Sequence, residues 1–339
     1  LYRLSRDSDR VRNQIVEEGG LLPLIQMYRS KSSEVQLLSL KTLGQLATTS
    51  NNRSKLHENG AIVPLLEGLK HKKYEVRETS VWAIGNLAEY DEARIRMVAE
   101  GATPGLIKFL NEGTKENSLD AELIGLKAVL ELSQHPKNHT RMVRDNILPT
   151  IFDIVHSPLK SNKHKALAMK TLAQLSQHEQ NHKRIKDLGE STGIRRIIAL
   201  CGYYDDAVRI HAAATVENLA QNNQLSGELV DLGVLTPLKE MLKTQKHHCV
   251  LRSVKAMQAL AKDSENQKLI VKENLIPHLL KKAHCGVDEI EEAVTLTLAL
   301  LAQNSVNRPK LMFHGGFKPL IYNMEYGKTE GIKEEAKKV

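Results

Sequence analysis

Gly60-Ala61-Ile62-Val63-Pro64-Leu65 decides how this 339-residue chain folds, because the phrase returns. Gly19-Gly20-Leu21-Leu22-Pro23-Leu24 precedes it and Gly101-Ala102-Thr103-Pro104-Gly105-Leu106 follows. Looser copies stand at Asn146-Ile147-Leu148-Pro149, Gly189-Glu190-Ser191-Thr192-Gly193, Gly233-Val234-Leu235-Thr236-Pro237-Leu238, Asn274-Leu275-Ile276-Pro277 and Gly315-Gly316-Phe317-Lys318-Pro319-Leu320. Counted at the Pro position, with Gly105 and Gly193 standing in, the spacings are 41, 41, 44, 44, 44, 40 and 42 residues. A near-constant period of this size is the mark of a stacked-repeat protein. The phrase has a local logic. Gly suits the turn of positive φ that closes one short helix. Pro suits the first turn of the next, where its missing N–H has no intrahelical acceptor to lose.

A second phrase recurs between copies of the first. Its Leu stands at Leu46, Leu87, Leu132, Leu175, Leu219, Leu260 and Leu301, each followed by Ala or Ser. Three residues earlier come Leu43, Ile84, Val129, Leu172, Val216, Met257 and Leu298. Apolar residues at i and i+3 beside small ones describe a helix pressed against neighbours. Stretches such as 75–88 and 166–176 contain no Pro and are rich in helix formers. No stretch alternates with period two for long enough to require a strand. Each repeat therefore reads as a short helix, a Gly turn, a second helix opening near Pro, a polar loop and a longer third helix. The loops fall at 70–73, 157–165 and 243–249, and the wider spacings fit insertions such as one around 111–118, since loops absorb added residues at little cost.

On these two phrases the chain resembles the armadillo-repeat family, of the importin-alpha and beta-catenin type, over essentially its whole length. The resemblance implies an all-α, right-handed superhelical solenoid of about seven to eight three-helix repeats, with the third helices lining a concave groove. Residues 1–339 then form a single array. Leu1–Ser5 looks like the end of a third helix and 330–339 like the start of another, so truncated repeats are expected at both ends, with further repeats or caps beyond them.

The resemblance also marks two groove-facing positions, five residues and one residue before the recurring Leu. Here they hold Lys41/Gln45, Trp82/Asn86, Lys127/Glu131, Lys170/Gln174, Ala214/Asn218, Lys255/Ala259 and Leu296/Leu300. Residues four apart share a helical face, so each pair can form one rung. Importin-alpha places Trp and Asn at these positions, and Val81-Trp82-Ala83-Ile84-Gly85-Asn86-Leu87-Ala88 is the one repeat carrying both. A single Trp cannot supply a run of tryptophans, and lysines at four Trp positions would repel a basic signal peptide, so a nuclear transport receptor ranks behind the adaptor and structural readings. The amides of Gln45, Asn86, Gln174 and Asn218 can pair with the backbone of an extended peptide. Lys41, Lys127, Lys170 and Lys255 favour acidic side chains on it. Lysines are also common on any solvated helix face, and Trp82 can serve packing alone.

The composition bounds the rest. Lys and Arg number 48 against 40 Asp and Glu, a formal charge of +8, with 41% apolar and 26% charged residues, as expected of a folded and not a disordered chain. Aromatic residues make up only 4%, which argues against stacking platforms for single-stranded nucleic acid and ranks nucleic acid last among partners. Three cysteines, Cys201, Cys249 and Cys285, cannot staple a chain of this length, so a reducing, cytoplasmic setting is expected, with cytoskeletal, ciliary or nuclear placement as variants. No apolar run approaches the roughly eighteen residues of a membrane span.

Two catalytic patterns match by letter. His178-Glu179-Gln180-Asn181-His182 reads as a zincin phrase, but its counterpart one repeat earlier, Ser133 to His139, is interrupted by Pro136, so a repeat turn explains both better than a metal site. Gly189 to Gly193 matches a nucleophile elbow, yet occupies the helix-joining turn of its repeat. His247-His248-Cys249 and His284-Cys285 fall in expected loops, without paired Cys at finger-like spacing. No Gly-rich phosphate loop is present. The expectation is a protein without catalysis, metal or cofactor: an adaptor holding an extended, acidic segment of a partner protein in its groove. The alternative is a structural part of a cytoskeletal or ciliary assembly, working through its convex face and its basic loops at 70–73, 160–165, 243–248 and 281–284. Such loops could meet phosphates, an anionic membrane surface or an acidic protein such as tubulin.

Overall fold

The computed structural model describes residues 1–112, 119–326 and 333, and every regular element among them is helical. The chain falls into two compact units, Leu1–Asn181 and His182–Val339. In the first, the short helix Tyr2–Ser5 is followed by helix triplets: Asp9–Glu17, Leu21–Met27 and Ser33–Leu46; then Ser50–Glu58, Ile62–Gly68 and Tyr74–Leu87; then Asp91–Ala99, Ala102–Glu112 and Leu119–Ser133; then Pro136–Arg144, Ile147–His156 and Asn162–Leu175. Third helices pack on one another in chain order, and Tyr2–Ser5 packs on Ser33–Leu46.

The second unit opens on a broken first helix, His182–Lys186 and Leu188–Ser191, before Gly193–Cys201 and Asp206–Leu219. Asn223–Asp231, Leu235–Leu242 and His247–Leu260 follow, then Ser264–Lys272, Ile276–Leu280 and Asp288–Gln303, then the pair Arg308–Phe313 and Phe317–Tyr326. The expected insertion around 111–118 lies mostly outside the described residues, and so does the expected helix start at 330–339 apart from Lys333.

Both recurring phrases do what their chemistry requires. The turn position is left-handed in all eight copies, at Gly19, Gly60, Gly101, Gly189, Gly233 and Gly315, and at Asn146 (φ 69°) and Asn274 (φ 56°). Asn is the residue after Gly that best tolerates this region, so those two looser copies keep the same turn. Pro23, Pro64, Pro104, Pro149, Pro237, Pro277 and Pro319 all sit in the first turn of a second helix. The seven recurring leucines and the seven residues three positions before them are at most 1% exposed, so this face of each third helix is core.

A third device recurs after most of the third helices. The carbonyls at a third helix's C-terminus lack intrahelical donors, and the following helix supplies them. Six residues after the recurring Leu, Asn138 and Asn181 donate to the carbonyls of Leu132 and Leu175, each at 2.8 Å, and Asn266 and Asn307 donate to those of Leu260 and Leu301, each at 3.2 Å. One residue further on, Arg53, Arg94, Gln267 and Arg308 donate to the carbonyls of Ala47, Ala88, Ala261 and Ala302 at 2.7–2.9 Å. His139 fills the same place, its Nε2 lying 2.8 Å from the Ser133 carbonyl.

This device accounts for the zincin-like letters. Asn181 is the capping residue, both it and His182 are buried, and His178 lies in the bend before the turn Glu179–Asn181. The two histidines therefore do not share one helical face. Gly189–Gly193 likewise joins two helices, Leu188–Ser191 and Gly193–Cys201.

Two expected loops are shorter than the sequence suggests. The third helices start at Asn162 and His247, so 162–165 and 247–249 are helical and only 157–161 and 243–246 are left outside them. His164 and Lys165 are buried, Ser161 Oγ and the Leu119 carbonyl flank the His164 ring, and Lys160 pairs with buried Glu122. Cys249 is buried, 3.7 Å from an Asp206 carboxylate oxygen, and burial pushes its thiol above the ordinary range. Apolar neighbours and a helical backbone draw these residues inward despite their polar letters.

Candidate binding surface

Core residues leave each third helix only a narrow outward stripe. On Tyr74–Leu87, residues 79–81, 83, 84 and 87 are buried, while Glu78, Trp82, Gly85 and Asn86 keep part of their surface. The same register recurs throughout the first unit: Lys41, Gln45, Glu131, Lys170 and Gln174 are half-buried and Lys127 is exposed. Periodicity of 3.6 puts both rung positions on one face, so fixing the core fixes the stripe.

The stripe encloses two adjoining hollows. One, about 330 Å³, is lined by Lys41 and Gln45 from one third helix, Glu75, Glu78 and Trp82 from the next, and Ile124 from the third. The other, about 420 Å³, takes Trp82, Asn86 and Glu89 on one side and Lys127, Glu131 and Leu167 on the other, again with Ile124. Trp82 and Ile124 line both hollows, so the indole forms part of the wall between them. Its position depends on Gly44: a Cβ added there would lie 2.5 Å from Trp82 Cζ3. Only a residue without a side chain lets the ring rest on the preceding helix.

Polar contacts qualify the expected roles. Lys41 Nζ donates to Glu75 at 2.8 Å, so this lysine is already paired. Asn86 Nδ2 donates to the Gly44 carbonyl at 3.2 Å, leaving the amide oxygen and one N–H for another partner. Gln174 Nε2 donates to Gln134 at 3.4 Å. Glu131 lies 3.7 Å from Arg94, and Glu89 pairs with Arg53. Burial pushes the Glu131 carboxyl above the ordinary carboxylate range against the pull of Arg94. Burial raises Glu78 too, with Glu75 adding to it and Lys41 opposing. Both shifts come from carboxylates held where water solvates them poorly.

In the second unit the rung positions are plainer. Ala214, Asn218, Lys255, Leu296 and Leu300 are half-buried and Ala259 is buried. Two lining features lay outside the sequence-based rungs. Glu78 and Glu75 precede Trp82 by four and seven residues, and Ile124 and Leu167 precede Lys127 and Lys170 by three. Extending the stripe one turn toward each helix N-terminus would have found them.

A crystal structure of an engineered protein is similar to 99% of this chain and 81% of its own length, with a TM-score of 0.89 at 20% identity. That likeness shows the fold alone, in keeping with the stacked helix triplets described above. No curated protein matches the chain. No helix among the described residues is long and apolar enough to cross a membrane. Residues 1–192, more than half of the chain, match the family model described as the ARM repeat region of plant U-box proteins, and the chain belongs to that armadillo-repeat family.

Proposed function

We propose that this chain is a non-enzymatic adaptor whose third-helix stripe holds an extended segment of a partner protein, and that its repeats act together as one array. The carrying observation is the pair of hollows that share Trp82, with Gln45 and Asn86 offering amides, Ile124 and Leu167 an apolar floor, and lysines standing beside them. Amides that both donate and accept suit a peptide backbone, and each such bond contributes roughly 0.5–1.5 kcal/mol net. Lys127, Lys170 and, in the second unit, Lys255 make no hydrogen bond or ion pair among the described residues, so they are the lysines to meet acidic side chains of the segment.

The alternative, docking through the basic loops, draws less support. Lys160 is held by Glu122, Lys243 by Glu240 and Lys246 by Asp206, which leaves that edge with less charge to offer than the letters suggest. The test is a comparison of proteins captured by the full chain and by a Lys127→Glu, Lys170→Glu double variant. The variant is expected to lose a subset of partners, and raised salt should release the same subset, because exposed charges are screened over about 10 Å at 0.1 M ionic strength. Identical capture by both chains would remove the reading.

A further inference from the structure

We propose that the stripe around Trp82 selects a segment of mixed charge: a cationic side chain beside Glu78, an acidic one beside Lys127 and Lys170, and an apolar residue between them on Trp82 and Ile124. This inference rests on the groove reading above and adds the order of charges that the occupant must carry.

The charges along the stripe are mostly cancelled within the protein. Lys41 is held by Glu75, Glu89 by Arg53, and Glu131 is faced by Arg94. Around Trp82, three groups remain without an ion pair among the described residues: Glu78 in the hollow shared with Lys41, Lys127 in the hollow shared with Asn86, and Lys170 one helix further on. The uncancelled charge therefore changes sign across the indole. A uniformly acidic segment would bring a carboxylate against Glu78, which is already short of solvation. A uniformly basic one would face two ammonium groups that make no salt bridge among the described residues, Lys170 acting on the Glu131 carboxyl only from a distance.

Geometry sets the spacing. Neighbouring helices pack about 8–10 Å apart, and an extended chain advances about 3.3 Å per residue, so about three residues span one helix. Glu78 and Lys127 lie on successive third helices and Lys170 on the one after. The cationic and acidic residues of the segment should then stand about three to six positions apart.

Four synthetic twelve-residue peptides test this against the full chain: a Lys block and a Glu block separated by three leucines, the same residues with the charges alternating, an all-Glu and an all-Lys version. Fluorescence anisotropy of the labelled peptides gives the affinity, and the emission of Trp82, the sole tryptophan, reports on the site. The blocked peptide is expected to bind about fivefold tighter than each of the others, the scale of two exposed ion pairs. Glu78→Gln should erase that advantage while leaving the circular dichroism and melting temperature of the chain in place. Equal or tighter binding by the all-Glu, all-Lys or alternating peptide, with a change in Trp82 emission, overturns the charge order and leaves the groove reading standing. Silence from all four peptides in both signals overturns the two together.

Discussion

The third helices of the two units have the same inward face and different outward ones. Val129 and Leu132 in the first unit and Met257 and Leu260 in the second are wholly buried at equivalent positions. Outward, the first unit presents Lys41/Gln45, Trp82/Asn86, Lys127/Glu131 and Lys170/Gln174, whereas the second presents Ala214/Asn218, Lys255/Ala259 and Leu296/Leu300. In a repeat protein each unit is stabilised by its own core and by its neighbours. The inward residues are therefore fixed by packing in every copy, and the two outward positions vary without cost to the fold. The charged, amide-bearing and aromatic rungs gather in the first unit, so that is where recognition chemistry concentrates.

The sharpest test of the shared inward face is a matched pair of truncations. Leu132→Ala and Leu260→Ala each remove a side chain with no exposed surface. Each should destabilise its unit by about 2–5 kcal/mol, the range for deleting a buried Leu. Chemical denaturation followed by circular dichroism reads the loss, and a cost below about 1 kcal/mol at one site would show that the cores are not equivalent.

A smaller effect is expected where the outward face leans on the inward one. In Gly44→Ala the new methyl carbon would fall 2.5 Å from Trp82 Cζ3 and 2.8 Å from Ala83 Cβ, so the indole has to move. Overpacking of this kind costs about 1–3 kcal/mol, and the lone tryptophan should emit at longer wavelength as its ring leaves the helix. Gly85→Ala is the control. Its added carbon meets Ala128 at an ordinary 3.6 Å, so emission should hold and stability should rise by about 0.5–1 kcal/mol, the usual gain in a helix interior. Unchanged emission in the Gly44 variant would break the link between the two faces.

How much of this could be read from the letters follows from sequence distance. The left-handed turns and the first-turn prolines were legible, because each depends on one residue's backbone limits. The core leucines were legible because helical periodicity is local. The state of the stripe was not: the partners of Lys41 and Asn86 lie 34 and 42 residues away, and no pattern says which carboxylate or carbonyl a long side chain will reach. Lys160 and His164 look like loop residues until Glu122 and the Leu119 carbonyl are brought beside them. The capping Asn was present in the sequence at Asn52, Asn138, Asn181, Asn266 and Asn307, but around residue 180 its repetition was masked by a more familiar catalytic spelling.

The smallest expected effect concerns that capping position, where residue identity varies inside the fixed register. Arg53, Arg94 and Gln267 donate to the carbonyl with groups that do not titrate near neutrality, whereas His139 donates through Nε2. Its Nδ1 is buried with no hydrogen-bond partner among the described residues. Burial holds the imidazole below its ordinary pKa of 6.5, helped by the nearby His178 and His135 and opposed by the bond to Ser133. As pH falls below 6.5 the unfolded chain takes up this proton before the folded one does, so stability is lost with acidification. His139→Gln places at this joint the amide that Gln267 uses at its own, keeping a donor and removing the titration. The variant should match the parent at pH 8 and lose less stability between pH 6.5 and pH 5, a difference read from melting temperatures across that range. An identical pH profile would mean that the joint already supplies His139 with a partner for its second proton, and that histidine and glutamine are equivalent caps there.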